Sequence, residues 1–402
     1  MSNVNQALTH QLIARKAAAM LVEENTVVAN MNTDREQEFG RDVQGYKPGE
    51  TVRVMVPPVP VTFSGASFAG GGSAPAVNES SVNLTVDQQY HVPLSFTAKE
   101  KKLEISDFEK RFLRPAMTSL SSKVNAILLE GMKNATPNVV GTWNTTPATR
   151  AVWREASSKL NRGLAPQDQR YAHFSEDANN ALAEANATLF HTAKELNGEF
   201  SDNAVGRFAG LEFYNQLSLP NHTNGAGTGY LINGAAVSGS SLAVKTGTGA
   251  ITKGSIFTIA GVYAVHPITG VSTGVLRQFV VTDDYAGGAG NVSVSPALTV
   301  TSSSVIGTVN ALPADSAPIT IFGDVSETEA QNLVFHRDAF ATAFAPLPVL
   351  ASCEGYTATV KGVSVRVMTF GNGQTDTEHT RIDVLFALPA AIRPDWSCRV
   401  TE

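Results

Sequence analysis

Residues 81–117 read SVNLTVDQQYHVPLSFTAKEKKLEISDFEKRFLRPAM, and the change of period inside them decides the fold. Val82, Leu84 and Val86 alternate with polar residues, and the pattern continues loosely through Tyr90, Val92, Leu94 and Phe96. A period of two predicts a strand, because successive side chains point to opposite faces. The pattern then switches. In Ser106-Asp-Phe-Glu109 a Ser is followed three residues later by Glu, the capping box that opens a helix. Phe108 and Phe112 share one face of that helix. Pro115 either kinks it or starts a new one at its first position, where a missing N–H is tolerated. Ala116, Leu120, Val124, Ile127, Leu128 and Met132 then keep one apolar stripe to about Lys133, with Pro137 just beyond.

Upstream, Val52, Val54 and Val56 alternate until prolines 57, 58 and 60 end the pattern. Residues 63–82 are rich in Gly, Ser and Ala. Two extended runs joined by such a tip predict a long β-hairpin, which is marginal alone in water. Phe63 and Phe68 sit near the tip, so they pack either on their own domain or on another subunit. Residues 3–24 read as an amphipathic helix, with Val4, Leu8, Leu12, Ala19 and Val22 near helical spacing.

Downstream, residues 140–224 look α/β. Pro147 opens a helix carrying Val152, Ala156 and Leu160, Ser175 caps another, and Tyr171, His173 and Phe174 form a short strand between them. From 226 to 325 only seven residues are charged: Lys245, Lys253, Arg277, Asp283, Asp284, Asp315 and Asp324. Short β-rich runs repeat there between turn residues, which predicts a small antiparallel barrel or sandwich. Helix is expected again from a second capping box, Ser326-Glu-Thr-Glu329, through Phe340. Val360 to Val367 and Ile382 to Phe386 then read as paired strands. The β block is thus an insertion with α/β sequence on both sides.

Composition narrows function. The chain has 402 residues, 43% hydrophobic and only 16% charged, with a net charge of −6. That acidity argues against a protein that coats nucleic acid by neutralising phosphates. No apolar run approaches a membrane span, and the N-terminus lacks a signal-peptide core, so a soluble protein made in a cytoplasm is expected. Two cysteines, Cys353 and Cys398, exclude a disulfide framework. No zinc-protease or zinc-finger spacing occurs. Gly249 and Gly254 have phosphate-loop spacing, but Lys253 precedes the second glycine, so a tight turn is favoured. His336-Arg337-Asp338 lacks the rest of a kinase motif set and reads as a polar helix face. Asp376, Glu378, His379, Arg381 and Asp383 read as a solvated hairpin turn. No enzyme, metal or cofactor is expected. The arms, which cannot be stable alone, point to an assembly.

The run 81–117 resembles the coat proteins of tailed bacteriophages of the short-tailed Salmonella-phage type. There a Val-x-Leu-Thr-Val-Asp strand and a Phe-Ser/Thr-x-Lys segment lead into a long spine helix. QNLVFHRDAFATAFAPLP, residues 331–348, is similar to that family's helix after its inserted domain. The resemblance implies an α+β chain with the tailed-phage major capsid protein fold. Residues 1–40 would be the N-terminal arm and 41–105 the extended loop. Residues 106–136 and 351–402 would form the peripheral domain with the spine helix, 137–225 and 326–350 the axial domain, and 226–325 an inserted barrel-like β domain. It further implies hexamers and pentamers in an icosahedral shell, a scaffolding protein, a portal, and enclosed double-stranded DNA. The virion is the expected location, with assembly in the bacterial cytoplasm. Phe63, Phe68, Arg277, Asp283 and Asp284 are the expected inter-subunit residues, although the last three also read as a solvated turn. Two other readings compete: the shell of a cellular nanocompartment, and a carbohydrate-binding surface or tail protein. The second is disfavoured because the β block has no Trp.

Overall fold

The computed structural model of the chain describes residues 3–33, 51–56, 65–66, 80–97, 109–186, 207–302, 305–372 and 377–402. Its contacts divide into two units. One comprises Met1–Val54, Val82–Leu128 and Phe340–Ala390, and the other Met55–Ser81, Leu129–Ala339 and Ala391–Glu402.

In the first unit the alternating residues of the quoted run form a long strand, Ser80–Thr97. It lies inside a five-stranded sheet, in the order Thr51–Val56, Ser80–Thr97, Thr377–Ala387, Val363–Asn372, Glu354–Val360. The expected hairpin is therefore not an isolated two-stranded arm. Residues from Val86 to Thr97 pair antiparallel with Thr377–Ala387, and a third strand removes the marginality of a bare hairpin. The N-terminal helix, Asn3–Glu24, packs on the two strands at the far edge. Its Ala14, Ala17, Ala18 and Leu21 are completely buried. Small residues let helix and sheet backbones approach, so this face of the helix is already covered within its own chain.

The long helix runs Arg114–Ala135, preceded by a π-helical turn, Glu109–Leu113. Pro115 sits in its first turn, where an N–H has no intrahelical acceptor. Ala116, Leu120, Val124, Leu128 and Met132 are buried, as the stripe predicts. Ser106 and Phe108 of the capping box lie outside the described residues.

The second unit holds a seven-stranded sheet in the order Val139–Val140, Ser397–Thr401, Thr328–His336, Arg170–Phe174, Leu211–Asn215, Arg207–Phe208, with Asn221–Thr223 also paired to Thr328–His336. Two helices, Arg150–Arg162 and Glu176–Asn186, supply Trp153, Ala156, Leu160, Ala178 and Leu182 to the core formed with Phe174, Val334 and Val400. Ser175 caps the second helix as expected, its Oγ accepting from the Ala178 N–H at 2.9 Å. Pro147 stands before the first helix, whose N-cap is Thr149, and the Pro147 carbonyl accepts from the Trp153 indole.

Residues between 226 and 325 form the six-stranded barrel-like sheet, in the order Ile319–Ile321, Ile256–Val265, Ser272–Val281, Gly290–Leu298, Gly239–Lys245, Leu231–Ile232. A bridge between Leu231 and Pro318 joins the two ends of this order. Leu242, Val244, Phe257, Ile259, Phe279, Val281, Val292 and Val294 fill its interior. The low charge follows from short strands that alternate inward aliphatics with outward Ser, Thr and Gly.

Four expectations are corrected. The predicted helix from Ser326 to Phe340 is a strand, Thr328–His336. Every residue from Gln331 to His336 is buried, because neighbouring strands and packed elements enclose both faces. Its polar members are satisfied laterally, with Gln331 donating to Thr401 Oγ1 and Asn332 to the Val400 carbonyl. For the same reason His336-Arg337-Asp338 is not a helix face. His336 ends the strand, and Arg337–Ala339 form a 3₁₀ turn. The C-terminal charged cluster is not wholly a solvated turn, since Asp383 is fully buried in mid-strand. Finally, 351–402 is divided between the units: Ser397–Thr401 pairs with Thr328–His336 in the second, whereas residues 354–387 belong to the first.

Candidate assembly surfaces and the barrel junction

Phe63 and Phe68 lie outside the described residues. The other three expected contact residues lie in and just after one barrel strand, and the structure does not bring them together. Arg277 is in the strand Ser272–Val281, and Asp283 and Asp284 follow its end. Five residues, most of them extended strand, stand between Arg277 and Asp283, which places the two roughly 20 Å apart. Asp283 is exposed, and Asp284 accepts the Lys253 N–H at 2.7 Å, closing the turn that the Gly249–Gly254 motif encodes. Arg277 is nearly buried, and its Nη2 donates to Asp395 Oδ1 at 2.5 Å. That partner lies 118 residues away in sequence.

Arg277 marks a junction between barrel and seven-stranded sheet, both within the second unit. Val139, Ile256 and Val280 make its apolar part, with Phe322 against them. Beside them Gln278 imitates a strand: its Oε1 accepts the Val139 N–H at 3.2 Å, and its Nε2 donates to the Val139 carbonyl at 3.1 Å. Lys159 Nζ also donates to Gln278 Oε1, at 3.0 Å. On the other side Arg399 Nη2 donates to the Gly254 carbonyl at 2.6 Å. Lys133 Nζ donates to the Asn221 carbonyl and to Glu130 Oε1, each at 2.9 Å. His222 pairs with Asn224 Oδ1 at 3.1 Å and Ser255 Oγ at 3.3 Å.

The electrostatics are one-sided. Burial lowers the pKa of Lys133 and of Lys159, and brings Arg399 down to about 9. It also lowers His222 to about 3, helped by the charges of Arg399 and Lys133. Burial raises the Cys398 thiol to about 12, so it is an inert core residue. Sequence reasoning missed Lys133, Lys159, Asp395 and Arg399, which have no motif and meet only through the fold.

The model of the family "P22 coat protein - gene protein 5" matches residues 58–397 of this sequence, spanning the strand Ser80–Thr97, the long helix, the barrel and the strands up to Thr377–Ala387. The chain belongs to this family. It is therefore a major capsid protein of a tailed bacteriophage and a structural component of the virion. Its fold is the tailed-phage capsid fold, α+β with an inserted barrel-like sheet. Among solved structures, it is similar to one described as Mycobacterium phage Che8, with 11% identity, 93% of this chain and 89% of that chain covered, and a TM-score of 0.49. It is similar to the capsid structure of the cyanophage P-SCSP1u, with 11% identity, 90% and 91% covered, and a TM-score of 0.43. The CUS-3 coat protein I-domain is 28% identical over 23% of this chain and 94% of that one, with a TM-score of 0.19. No curated protein matches the sequence.

Proposed function

We propose that this coat protein assembles as hexamers and pentamers into an icosahedral shell, first around a scaffolding protein in the host cytoplasm, and that the shell then expands as double-stranded DNA enters through a portal. The observation that carries the reading is a closed β barrel interrupting an α/β unit in a chain that the coat-protein model covers from 58 to 397. The net charge of −6 supports a container that does not grip its genome. In this reading Phe63 and Phe68 bury against a neighbouring subunit, and Asp283 and Asp284 face adjacent capsomers. Arg277 reaches a neighbour only while keeping Asp395.

Electron microscopy of the full chain, expressed with and without a scaffolding protein, tests this. Closed uniform shells are expected, and deletion of residues 63–80 leaves a soluble subunit that forms none. Monomers alone at high concentration under both conditions overturn the shell reading. Normal shells from the deletion overturn the role of Phe63 and Phe68.

A further inference from the structure

A cleft of about 60 Å³ opens at the barrel junction, where the hairpin of strands Ile256–Val265 and Ser272–Val281 overhangs the end of helix Arg150–Arg162. Its charged and amide lining is Asn138, Lys159, Arg162, Arg277, Gln278 and Asp395, three cations against one carboxylate, and Thr273 adds a hydroxyl. Gly163 closes one side, where a Cβ would stand only 2.5 Å from the Asp395 carbonyl oxygen.

The charges are not satisfied internally. Arg277 is 8% exposed, and its Nε has no hydrogen-bond partner although it is buried. Its Nη2 uses the one carboxylate of the lining. Among the described residues, the hydrogen bond of Lys159 goes to the Gln278 amide oxygen, a neutral acceptor. Arg162 is exposed, and among the described residues it makes no hydrogen bond or ion pair. A buried guanidinium N–H without an acceptor forfeits its hydration with no return, and an anion in the cleft restores it. A planar guanidinium edge beside an ammonium suits an oxygen-bearing anion, which accepts several charged hydrogen bonds at once.

We propose that this cleft is a binding site for an oxyanion, a carboxylate or phosphate group, held by Arg277, Lys159 and Arg162. The small volume limits the ligand to the anionic group itself, either a free anion or one acidic side chain of a neighbouring copy. The site does not depend on the shell reading, because its first test is on the free subunit.

The experiment is calorimetric titration of the full-chain subunit with inorganic phosphate, and separately with acetate, at constant ionic strength set by chloride. Saturable binding of at least one probe is expected. Arg162→Gln changes an exposed side chain without a partner, so it folds, and it weakens binding about threefold, the scale of one exposed charge. Arg277→Gln weakens it about tenfold or more, the scale of a charged hydrogen bond. The same titration on assembled shells identifies the source: probe binding that disappears on assembly shows a neighbour's carboxylate in the cleft, and binding that persists shows a free anion. No saturable binding of either probe to the subunit overturns the proposal, as does an affinity unchanged in both variants.

Discussion

Two buried arginines, one in each unit, are handled in opposite ways. In the first unit Arg366 faces Asp383, which is fully buried and accepts Arg366 Nε and Nη2 at 3.1 and 2.9 Å. Arg381 adds a third bond to the same carboxylate at 2.6 Å, and Arg366 Nη1 reaches the Pro348 carbonyl at 2.7 Å. In the second unit Arg399 is as deeply buried, yet its hydrogen bond goes to a backbone carbonyl and its Nε is unpartnered. The first region is a closed ion network, whereas the Arg399 guanidinium in the second is held by a backbone dipole. Burial alone therefore does not say what a charge contributes; the partner does. Removing one member of a closed pair strands a charge, whereas removing a lone buried cation also removes its desolvation penalty.

The largest expected effect tests the closed network. Arg366→Met leaves Asp383 with the partly exposed Arg381 and a long bond from Gln89 Nε2, and costs about 3–5 kcal/mol, the usual loss on breaking a buried pair. Urea unfolding of the variant subunit measures it. A loss under about 1 kcal/mol would show that Arg381 suffices and that the network is not closed by Arg366.

Acid separates the regions next. His173, stacked between Tyr214 and Phe335 in the second unit, is held at a pKa of about 3 by burial, and His222 at about 3 in the cationic junction. Both take up protons near pH 6.5 only when unfolded. Their contribution is thus fully present above pH 6.5 and is lost as the pH falls from there toward 3. Each removes about 1.4 kcal/mol per pH unit in that window. His173→Phe keeps an aromatic ring in the stack and lowers the slope of stability against pH by about one proton. An unchanged slope between pH 4 and 6 would show that His173 is already protonated in the native state.

The smallest effect concerns Arg399. Arg399→Met loses the bond to Gly254 but frees a buried charge, so its cost stays within about 1 kcal/mol. A loss matching that of Arg366→Met would reveal a compensating anion at the junction and erase the contrast.

These two regions also mark how far local sequence reaches. Ser175 is legible as a cap because its acceptor and donor lie three residues apart. The barrel strands are legible because their alternation meets a core made of their own residues, such as Phe257 and Phe279. The segment after the barrel is not. Ser326 and Glu329 carry a capping box, but Ser326 adopts a left-handed φ of 59° and a strand follows. Pairing with Ser397–Thr401 and Arg170–Phe174 supplies hydrogen bonds that outweigh a local helical preference. A run buried on both faces has no period by which to recognise it.

The sequence by itself therefore determined the strand-to-helix switch around residues 81–135, the existence and class of the inserted β domain, and the family signal. Each rests on periodicity or composition within a short window. Only the tertiary structure decided the register of Thr328–His336, the transfer of the last strand to the second unit, and the partners of Arg277, Arg366 and Arg399. Those partners lie 118, 17 and 145 residues away. A charge seeks whichever acceptor the fold delivers within about 3 Å, and no local pattern encodes that distance.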